Sequence, residues 1–106
     1  MHLALSSETL DDTVVVRAVG EVDVSTAPAL RRHLDELIQR GHRDIVVDLT
    51  DVDFLDSTGL GVLVGRLKLL RTQGGELRLT GARDRVHKVL VITGLDKVFE
   101  LSALSH

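Results

Sequence analysis

The residues of this sequence that could carry chemistry are concentrated in one segment, residues 53–61, which reads Asp-Phe-Leu-Asp-Ser-Thr-Gly-Leu-Gly. An apolar, β-branched run precedes the segment and an apolar stripe of helical spacing follows it, so it should join a strand to a helix. In sheets whose strands alternate with helices, binding sites gather in the loops at the carboxyl ends of the strands. Residues 53–61 are therefore the candidate functional site.

Ser57 supplies a hydroxyl group that phosphorylation could modify. The helix should begin at or just before Ser57, so unpaired backbone N–H groups and the positive end of the helix dipole would face a phosphate there. Asp53 and Asp56 would repel the same phosphate. A phosphate that the fold tolerates but that lies within an acidic surface is suited to disrupting a protein interface. The energetic scale is adequate, because one to three charge-assisted hydrogen bonds of roughly 1.5–3 kcal/mol each can be gained or lost there.

The same residues allow a purely structural interpretation. Serine and threonine are common N-cap residues, so Ser57 and Thr58 could serve only to start the helix. Gly59, Gly61 and Gly65 could serve only to let that helix lie close to the sheet. The residue types alone leave both interpretations open.

The hydrophobic pattern predicts an α/β fold that forms one domain over residues 1–106. Strands are predicted over residues 2–6, 13–19 with an extended continuation to 24, 44–49, 76–80 and 97–101, with a loop over 50–56. Helices are predicted to start at Ser25 or Thr26, at Ser57 and at Asp84, and to end at Gly41, at residues 73–75 and at Gly94. This alternation implies right-handed crossovers and a mostly parallel sheet, which the N-terminal hairpin makes mixed.

Each predicted helix has one apolar face that should pack on the sheet. The members of these faces are Leu30, Leu34, Leu37 and Ile38 in the first helix, Leu60, Leu63, Val64, Leu67 and Leu70 in the second, and Val86, Val89, Leu90 and Ile92 in the third. In the second helix, Val62, Arg66 and Leu69 lie on the side away from the main stripe. They could form part of a partner-docking face beside Ser57, although single exposed apolar residues are ordinary.

Composition narrows the classes of function. A net charge of −3 at pH 7, two Phe and no Tyr or Trp argue against direct nucleic-acid binding, which needs excess cations and aromatic platforms. The sequence has no cysteine, which removes disulfides, thiolate nucleophiles and Cys-based zinc sites. No transmembrane span or signal peptide is predicted, so we expect a cytoplasmic protein without membrane contact.

Known enzyme and cofactor motifs do not match. The glycines after Ser57 are wrongly spaced for a dinucleotide fingerprint, and Ser57 has neither a Gly-x-Ser-x-Gly elbow nor a histidine placed as its base. The histidines lack metal-ligand spacing, and the aspartates of residues 51–56 lack the glycine and glutamate of a calcium loop. We therefore expect a non-enzyme with no catalytic residue, no cofactor and no metal.

Several stretches of the sequence resemble the bacterial anti-sigma factor antagonists, which belong to the STAS domains (sulphate transporter and anti-sigma factor antagonist). In chain order these stretches are Gly-Glu-Val-Asp at 20–23, Ile-Val-Val-Asp-Leu at 45–49, Phe-Leu-Asp-Ser-Thr-Gly-Leu-Gly-Val-Leu at 54–63, Gly-Gly-Glu-Leu-Arg-Leu at 74–79 and Ile-Thr-Gly-Leu-Asp-Lys-Val-Phe at 92–99. The resemblance spans nearly the whole chain, and its Asp-Ser-Thr-Gly-Leu-Gly core is fairly specific. Many members of the family continue with a further C-terminal helix, whereas this sequence stops at His106.

The resemblance implies a partner switch. In that family the unphosphorylated antagonist binds an anti-sigma factor that is also an ATP-using serine kinase, and so frees the sigma factor. The kinase phosphorylates the hydroxyl residue after the motif's aspartate, which matches Ser57, and a metal-dependent serine phosphatase restores the binding form. Asp23 matches the acid of the family's Gly-Glu-x-Asp stretch and is a candidate contact with the kinase, its alternative role being to end a strand and help a turn. The candidate partner-binding residues are Asp23, Asp56, Ser57, Thr58, Gly59, Leu60, Gly61, Val62 and Arg66.

Two other functions are open to a domain of this family. One is an unphosphorylated subunit of a membrane transport complex of the lipid-type ABC class, which would grip an ATPase through the same loop and helix. The other is a module that senses a small ligand or nucleotide in a pocket beside Ser57. The intact Asp-Ser-Thr-Gly-Leu-Gly core favours the switch, because a permanent subunit needs no phosphorylatable serine there. The oligomeric state is open, since an exposed first strand could pair with another copy.

Overall fold

The computed structural model describes residues 2–99 and 101–102 of the chain. Its first two strands, β1 (Leu3–Leu10) and β2 (Thr13–Val22), form an antiparallel hairpin. The remaining elements are α1 (Ala27–Gln39), β3 (Asp44–Leu55), α2 (Ser57–Thr72), β4 (Glu76–Thr80), α3 (Asp84–Ile92), a short 3₁₀ helix (Leu95–Lys97) and β5 (Leu101–Ser102). None of the helices in this part of the chain is long and apolar enough to cross a membrane.

The strands form one mixed sheet in the order β1-β2-β3-β4-β5, in which only the β1–β2 pair is antiparallel. Each crossover connection leads from one strand to the next strand of the sheet, always in the same direction. Right-handed connections therefore place α1, α2 and α3 on one face of the sheet. Strand β2 reflects this arrangement, since Val14, Val16 and Ala18 are buried whereas Arg17 and Val19 are exposed. The predicted α/β class and mixed sheet are confirmed.

The candidate site lies where β2 and β3 end. The two strands are parallel, and their last residues, Val22 and Leu55, are paired. The backbone N–H of Asp56 donates to the carbonyl of Val22 at 3.2 Å, which ties the two exits together. Helices α1 and α2 therefore begin at the same end of the sheet, which we call the carboxyl end.

Two predicted strand boundaries were wrong because strand pairing continues through polar residues. Strand β3 runs to Leu55, through most of the predicted loop over 50–56, and its polar residues pair with β2, for example Asp51 with Val19. Strand β1 continues past its predicted end to Leu10, since β2 supplies a partner for every residue of it. Backbone hydrogen bonding to a neighbouring strand decides these boundaries, and side-chain pattern does not report it.

The end of the chain differs from prediction in a similar way. The 3₁₀ helix (Leu95–Lys97) includes Lys97, the first residue of the predicted final strand, and the backbone N–H groups of Val98 and Phe99 both donate to the carbonyl of Leu95. The predicted strand over 97–101 is thus wrong up to Phe99, residue 100 lies outside the described residues, and β5 begins at Leu101. In α3, Ile92 is 73% exposed, so its predicted place in the core was also wrong.

Candidate functional site

The amino terminus of α2 is capped by an aspartate. The Oδ1 atom of Asp56 accepts hydrogen bonds from the backbone N–H groups of Thr58 at 2.9 Å and Gly59 at 3.1 Å. The backbone of Asp56 is extended, as is usual at an N-cap, and its carbonyl accepts from the N–H of Leu60 at 3.0 Å. The interpretation of Ser57 or Thr58 as the N-cap is therefore wrong.

Ser57 is the first residue of α2 and is exposed. Within the described part of the chain, its hydroxyl group makes no hydrogen bond, and the same is true of the Thr58 hydroxyl. Both hydroxyl groups are thus accessible from solvent and free of a capping role. Ser57 has the exposure that a modification site requires.

The sequence predicts that a phosphate on Ser57 would meet unpaired backbone N–H groups, and the structure corrects this expectation for Thr58 and Gly59. The N–H groups of Thr58 and Gly59 already donate to Asp56, so a phosphate on Ser57 would have to displace that carboxylate or remain in solvent beside it. In either case the phosphate adds negative charge next to an existing negative charge. We therefore expect repulsion between the phosphate and Asp56 to outweigh stabilisation of the phosphate by the backbone N–H groups.

Asp23 organises the turn between β2 and α1. Its Oδ1 atom accepts from the Ser25 hydroxyl at 2.6 Å and from the backbone N–H groups of Ser25 at 2.8 Å and Thr26 at 3.1 Å. The Thr26 hydroxyl donates to the carbonyl of Glu21 at 2.7 Å and accepts from the Asp23 N–H at 2.9 Å. The hydrogen bond from the Ser25 hydroxyl is the main reason that the pKa of Asp23 is lowered, against the opposing effect of burial.

The structural role that the sequence left open for Asp23, to end a strand and help a turn, is present in the fold. The residue is only 7% exposed. A contact with a partner protein stays a prediction for this residue. Asp23 would support such a contact mainly by fixing the turn that carries Val24.

Gly59 lets α2 approach the sheet closely. A Cβ atom at this position would lie 2.6 Å from Val22 Cγ1 and 2.7 Å from Leu55 Cδ1. Leu60, the next residue, is buried in the core. Both residues are candidates for partner binding, and burial restricts them to shaping the surface around Ser57.

A shallow depression of about 280 Å³ lies between α1 and α2, and we call it the α1–α2 depression. Its lining residues are Arg31, Thr58, Gly61, Val62 and Arg66. Four of these five are candidate partner-binding residues from the sequence, and the structure brings them together beside Ser57. Arg31 was missed because it belongs to another helix, and nothing in its local sequence links it to residues 57–66.

The second helix offers less free apolar surface than predicted. Val62 and Leu69 are half-buried against the core, so the side of α2 that carries them is not separate from the packed face. Two other apolar residues at the carboxyl end are more exposed, Val24 at 72% and Phe54 at 37%. The signal for these two in the sequence is their apolar type within otherwise polar segments.

Charges of both signs surround Ser57. Asp53 is exposed and Asp56 half-buried at the end of β3, while Arg31 and Arg66 line the α1–α2 depression. Across residues 2–99 and 101–102, no group of three or more His, Asp or Glu side chains could hold a metal ion. The arrangement places an accessible hydroxyl group between acidic and basic residues.

The sequence matches known proteins over nearly its full length. A model of the STAS domain family matches residues 4–105. The anti-sigma-B factor antagonist of Bacillus subtilis (strain 168) is 38% identical over 105 residues, covering 99% of this chain and 95% of that protein. The anti-sigma-B factor antagonist of Staphylococcus aureus (strain NCTC 8325 / PS 47) is 40% identical over 102 residues, covering 96% of this chain and 94% of that protein.

The fold also matches a protein whose structure is known in two states. The anti-sigma factor antagonist SpoIIAA in its unphosphorylated form superposes with a TM-score of 0.83 at 27% identity, covering 97% of this chain and 90% of that chain. The Bacillus cell fate determinant SpoIIAA in its phosphorylated form superposes with a TM-score of 0.76 at 26% identity, covering 97% of this chain and 93% of that chain. A fold of this kind therefore accommodates a phosphorylated and an unphosphorylated state.

Proposed function

The chain belongs to the STAS domain family, and from that premise we propose that it is an anti-sigma factor antagonist that phosphorylation of Ser57 switches off. In its unphosphorylated form it binds an anti-sigma factor that has serine kinase activity, and this binding releases a sigma factor. A serine phosphatase returns the phosphorylated protein to the binding form. The observation that carries the proposal is the exposed Ser57 hydroxyl, which makes no hydrogen bond in the described chain because Asp56 caps the helix.

The relatives support the class of function. The proteins from Bacillus subtilis and Staphylococcus aureus are named for antagonism of an anti-sigma factor, which is a binding activity. Their identity to this chain extends over nearly all of it. A transport-complex subunit and a ligand-sensing module are therefore not favoured.

Electrostatics explains how a phosphate would act here. A phosphoserine carries a charge of about −1.5 to −2 at neutral pH. On Ser57 this charge would stand beside Asp56 and on the surface that holds Asp53. A partner that covers Ser57 would have to bury the phosphate away from water, which is costly unless the partner supplies cations. Phosphorylation thus opposes binding while α2 keeps its cap.

Affinity capture from lysate of the native cell, with partners identified by mass spectrometry, tests this proposal. We expect wild type and Ser57→Ala to bring down an anti-sigma factor with a kinase domain, and Ser57→Asp to lose it. Ser6→Asp is the matched control, because Ser6 is an exposed serine of β1, where it pairs with Arg17 of β2 and lies away from α2. Incubating the captured factor with ATP and wild type should then phosphorylate Ser57.

Two results would contradict the proposal. One is retention of the anti-sigma factor by Ser57→Asp at the level of wild type. The other is capture of the same membrane transport ATPase by wild type and Ser57→Asp alike. Circular dichroism of each variant distinguishes loss of binding from loss of folding.

A further inference from the structure

The α1–α2 depression has an excess of positive charge beside Ser57, and we propose that it receives an acidic side chain of the anti-sigma factor. The inference rests on the proposed function and adds Arg31 to the residues that contact the partner. The predicted occupant is an Asp or Glu carboxylate on the partner's surface. Three features of the depression lead to this assignment.

The first feature is that two arginines share one carboxylate. Arg66 Nη1 lies 3.0 Å from Asp35 Oδ1 and 3.2 Å from Asp35 Oδ2. Arg31 Nε lies 3.7 Å from Asp35 Oδ2, which is beyond hydrogen-bond distance. The Arg31 side chain makes no hydrogen bond within the described chain, so one positive charge and its side-chain donors are left over.

The second feature is the difference in solvent exposure between the two arginine side chains. The Arg66 side chain is only 16% exposed, and its Nε atom is buried without a hydrogen-bond partner among the described residues. Because less solvent surrounds this guanidinium, it attracts a carboxylate more strongly than a fully hydrated guanidinium would. The Arg31 side chain is 62% exposed and can turn toward an incoming carboxylate. Together they offer one largely buried cation and one exposed cation.

The third feature is the floor of the depression. Gly61 has open space where a Cβ atom would stand, so a side chain from another protein can approach the backbone of α2. Thr58, which follows Ser57, contributes a hydroxyl that makes no hydrogen bond in the described chain and can donate to a carboxylate. An acidic side chain bound here would lie next to Ser57. A phosphate on Ser57 would repel it, which connects the depression to the switch.

The decisive comparison is between Arg31→Glu and Arg32→Glu. The two arginines are neighbours on α1, both are exposed, and both substitutions make the same change in net charge. Arg32 does not line the depression and has no ion pair in the described chain. The readout is the Kd for the purified anti-sigma factor found in the capture experiment, measured at low and at high salt. Arg31→Gln, which removes the charge without reversing it, is the second variant.

We expect Arg31→Glu to raise the Kd by about tenfold or more at low salt and by less at high salt, and Arg31→Gln to have an intermediate effect. Arg32→Glu should change the Kd by less than about threefold. Equal effects of Arg31→Glu and Arg32→Glu would overturn the inference, while a difference between wild type and Ser57→Asp in the same assay would leave the proposed function in place. If wild type captures no anti-sigma factor, the proposed function and this inference are both wrong.

Discussion

At the level of single residues, two aspartates hold the start of the two helices that meet at the candidate site. Asp56 accepts two backbone hydrogen bonds at the start of α2, and Asp23 accepts two from the turn that leads into α1. The Asp56 carboxylate thereby satisfies N–H groups that the geometry of α2 leaves without partners. The Asp23 carboxylate satisfies N–H groups of the turn that precedes α1. The hydroxyl of Ser57 is not needed for this purpose, and its chemistry is available for regulation.

Replacing the N-cap should weaken α2 measurably. Asp56→Ala removes the acceptor for two backbone N–H groups, and we expect it to lower the free energy of unfolding by about 1 kcal/mol. Asp53→Ala is the matched control, since the Asp53 side chain makes no hydrogen bond in the described chain and the residue is exposed, and its effect should be within about 0.5 kcal/mol. Urea unfolding measures both, and equal losses for the two variants would contradict the assignment of the cap.

The lowered pKa of Asp23 predicts a dependence of stability on pH. Because the folded-state pKa is below the ordinary value of 3.8, the ionised carboxylate stabilises the fold above that pH. This contribution is lost as the pH falls from 3.8 through the lowered pKa. Asp23→Asn keeps an acceptor oxygen but cannot ionise, so its stability should fall less than that of wild type over this range.

The pKa of a second carboxyl group is also lowered, so the contribution of Asp23 must be isolated by comparing wild type with Asp23→Asn. The pKa of Glu76 is lowered chiefly by its hydrogen bond with Arg71, and this contribution is common to wild type and Asp23→Asn. The difference between the two unfolding curves at each pH therefore isolates Asp23. A constant difference from pH 6 to below pH 3 would show that Asp23 has no shifted pKa.

At the level of elements, the glycines of α2 have different roles. Gly59 faces the sheet, where a Cβ atom would meet Val22 and Leu55, whereas a Cβ atom at Gly65 would meet nothing within 4 Å. The structural interpretation of residues 57–65 gave all three glycines of this helix a role in close packing. The structure supports that role at Gly59, where α2 starts beside the last residues of β2 and β3.

Alanine substitutions should separate these roles. We expect Gly59→Ala to lower the free energy of unfolding by about 1–3 kcal/mol, because Val22 and Leu55 must move away from the added methyl group. Gly65→Ala is expected to raise it by up to about 1 kcal/mol, because alanine is the better helix former and the space is open. Thermal and urea unfolding measure both changes. Destabilisation of equal size at the two positions would contradict the packing shown for Gly59.

At the level of the whole molecule, the fold separates a buried frame, formed by the central strands, from the surface that carries Ser57. Strands β2 and β3 each have a hydrogen-bonded neighbour on both sides, and their inward residues Val16 and Val47 are fully buried. Ser57 lies at the end of this frame, and its hydroxyl has no partner in the described chain whose loss would be transmitted to the sheet. A charge placed on it should therefore act on the surface alone.

Amide hydrogen exchange of wild type and Ser57→Asp tests this separation. We expect the slowest exchange in β2 and β3 of both proteins, with no difference between them there, because these strands open only with the whole domain. Differences should be confined to the first turn of α2. Loss of protection across the sheet in Ser57→Asp would mean that the charge acts by a conformational change instead.

The local pattern of the sequence was sufficient to predict the class of fold and the position of Ser57 at the start of a helix. Alternation of period-two and helical stripes predicted the α/β order, and the change of pattern near Ser57 placed that residue at the start of α2, as observed. Caps and periodicities depend on residues within a turn or two of each other, so a single sequence contains them. The motif around Ser57 likewise carried the family resemblance.

The tertiary structure alone decided which distant residues share a surface and which strands continue. Strand β3 passes through Asp51 because β2 offers it backbone partners, and no side-chain alternation marks that pairing. Arg31 reaches the depression beside Thr58 because α1 packs on α2, although 27 positions separate the two residues. Such contacts depend on the order of strands in the sheet and the direction of the crossovers, which the pattern around a residue does not contain.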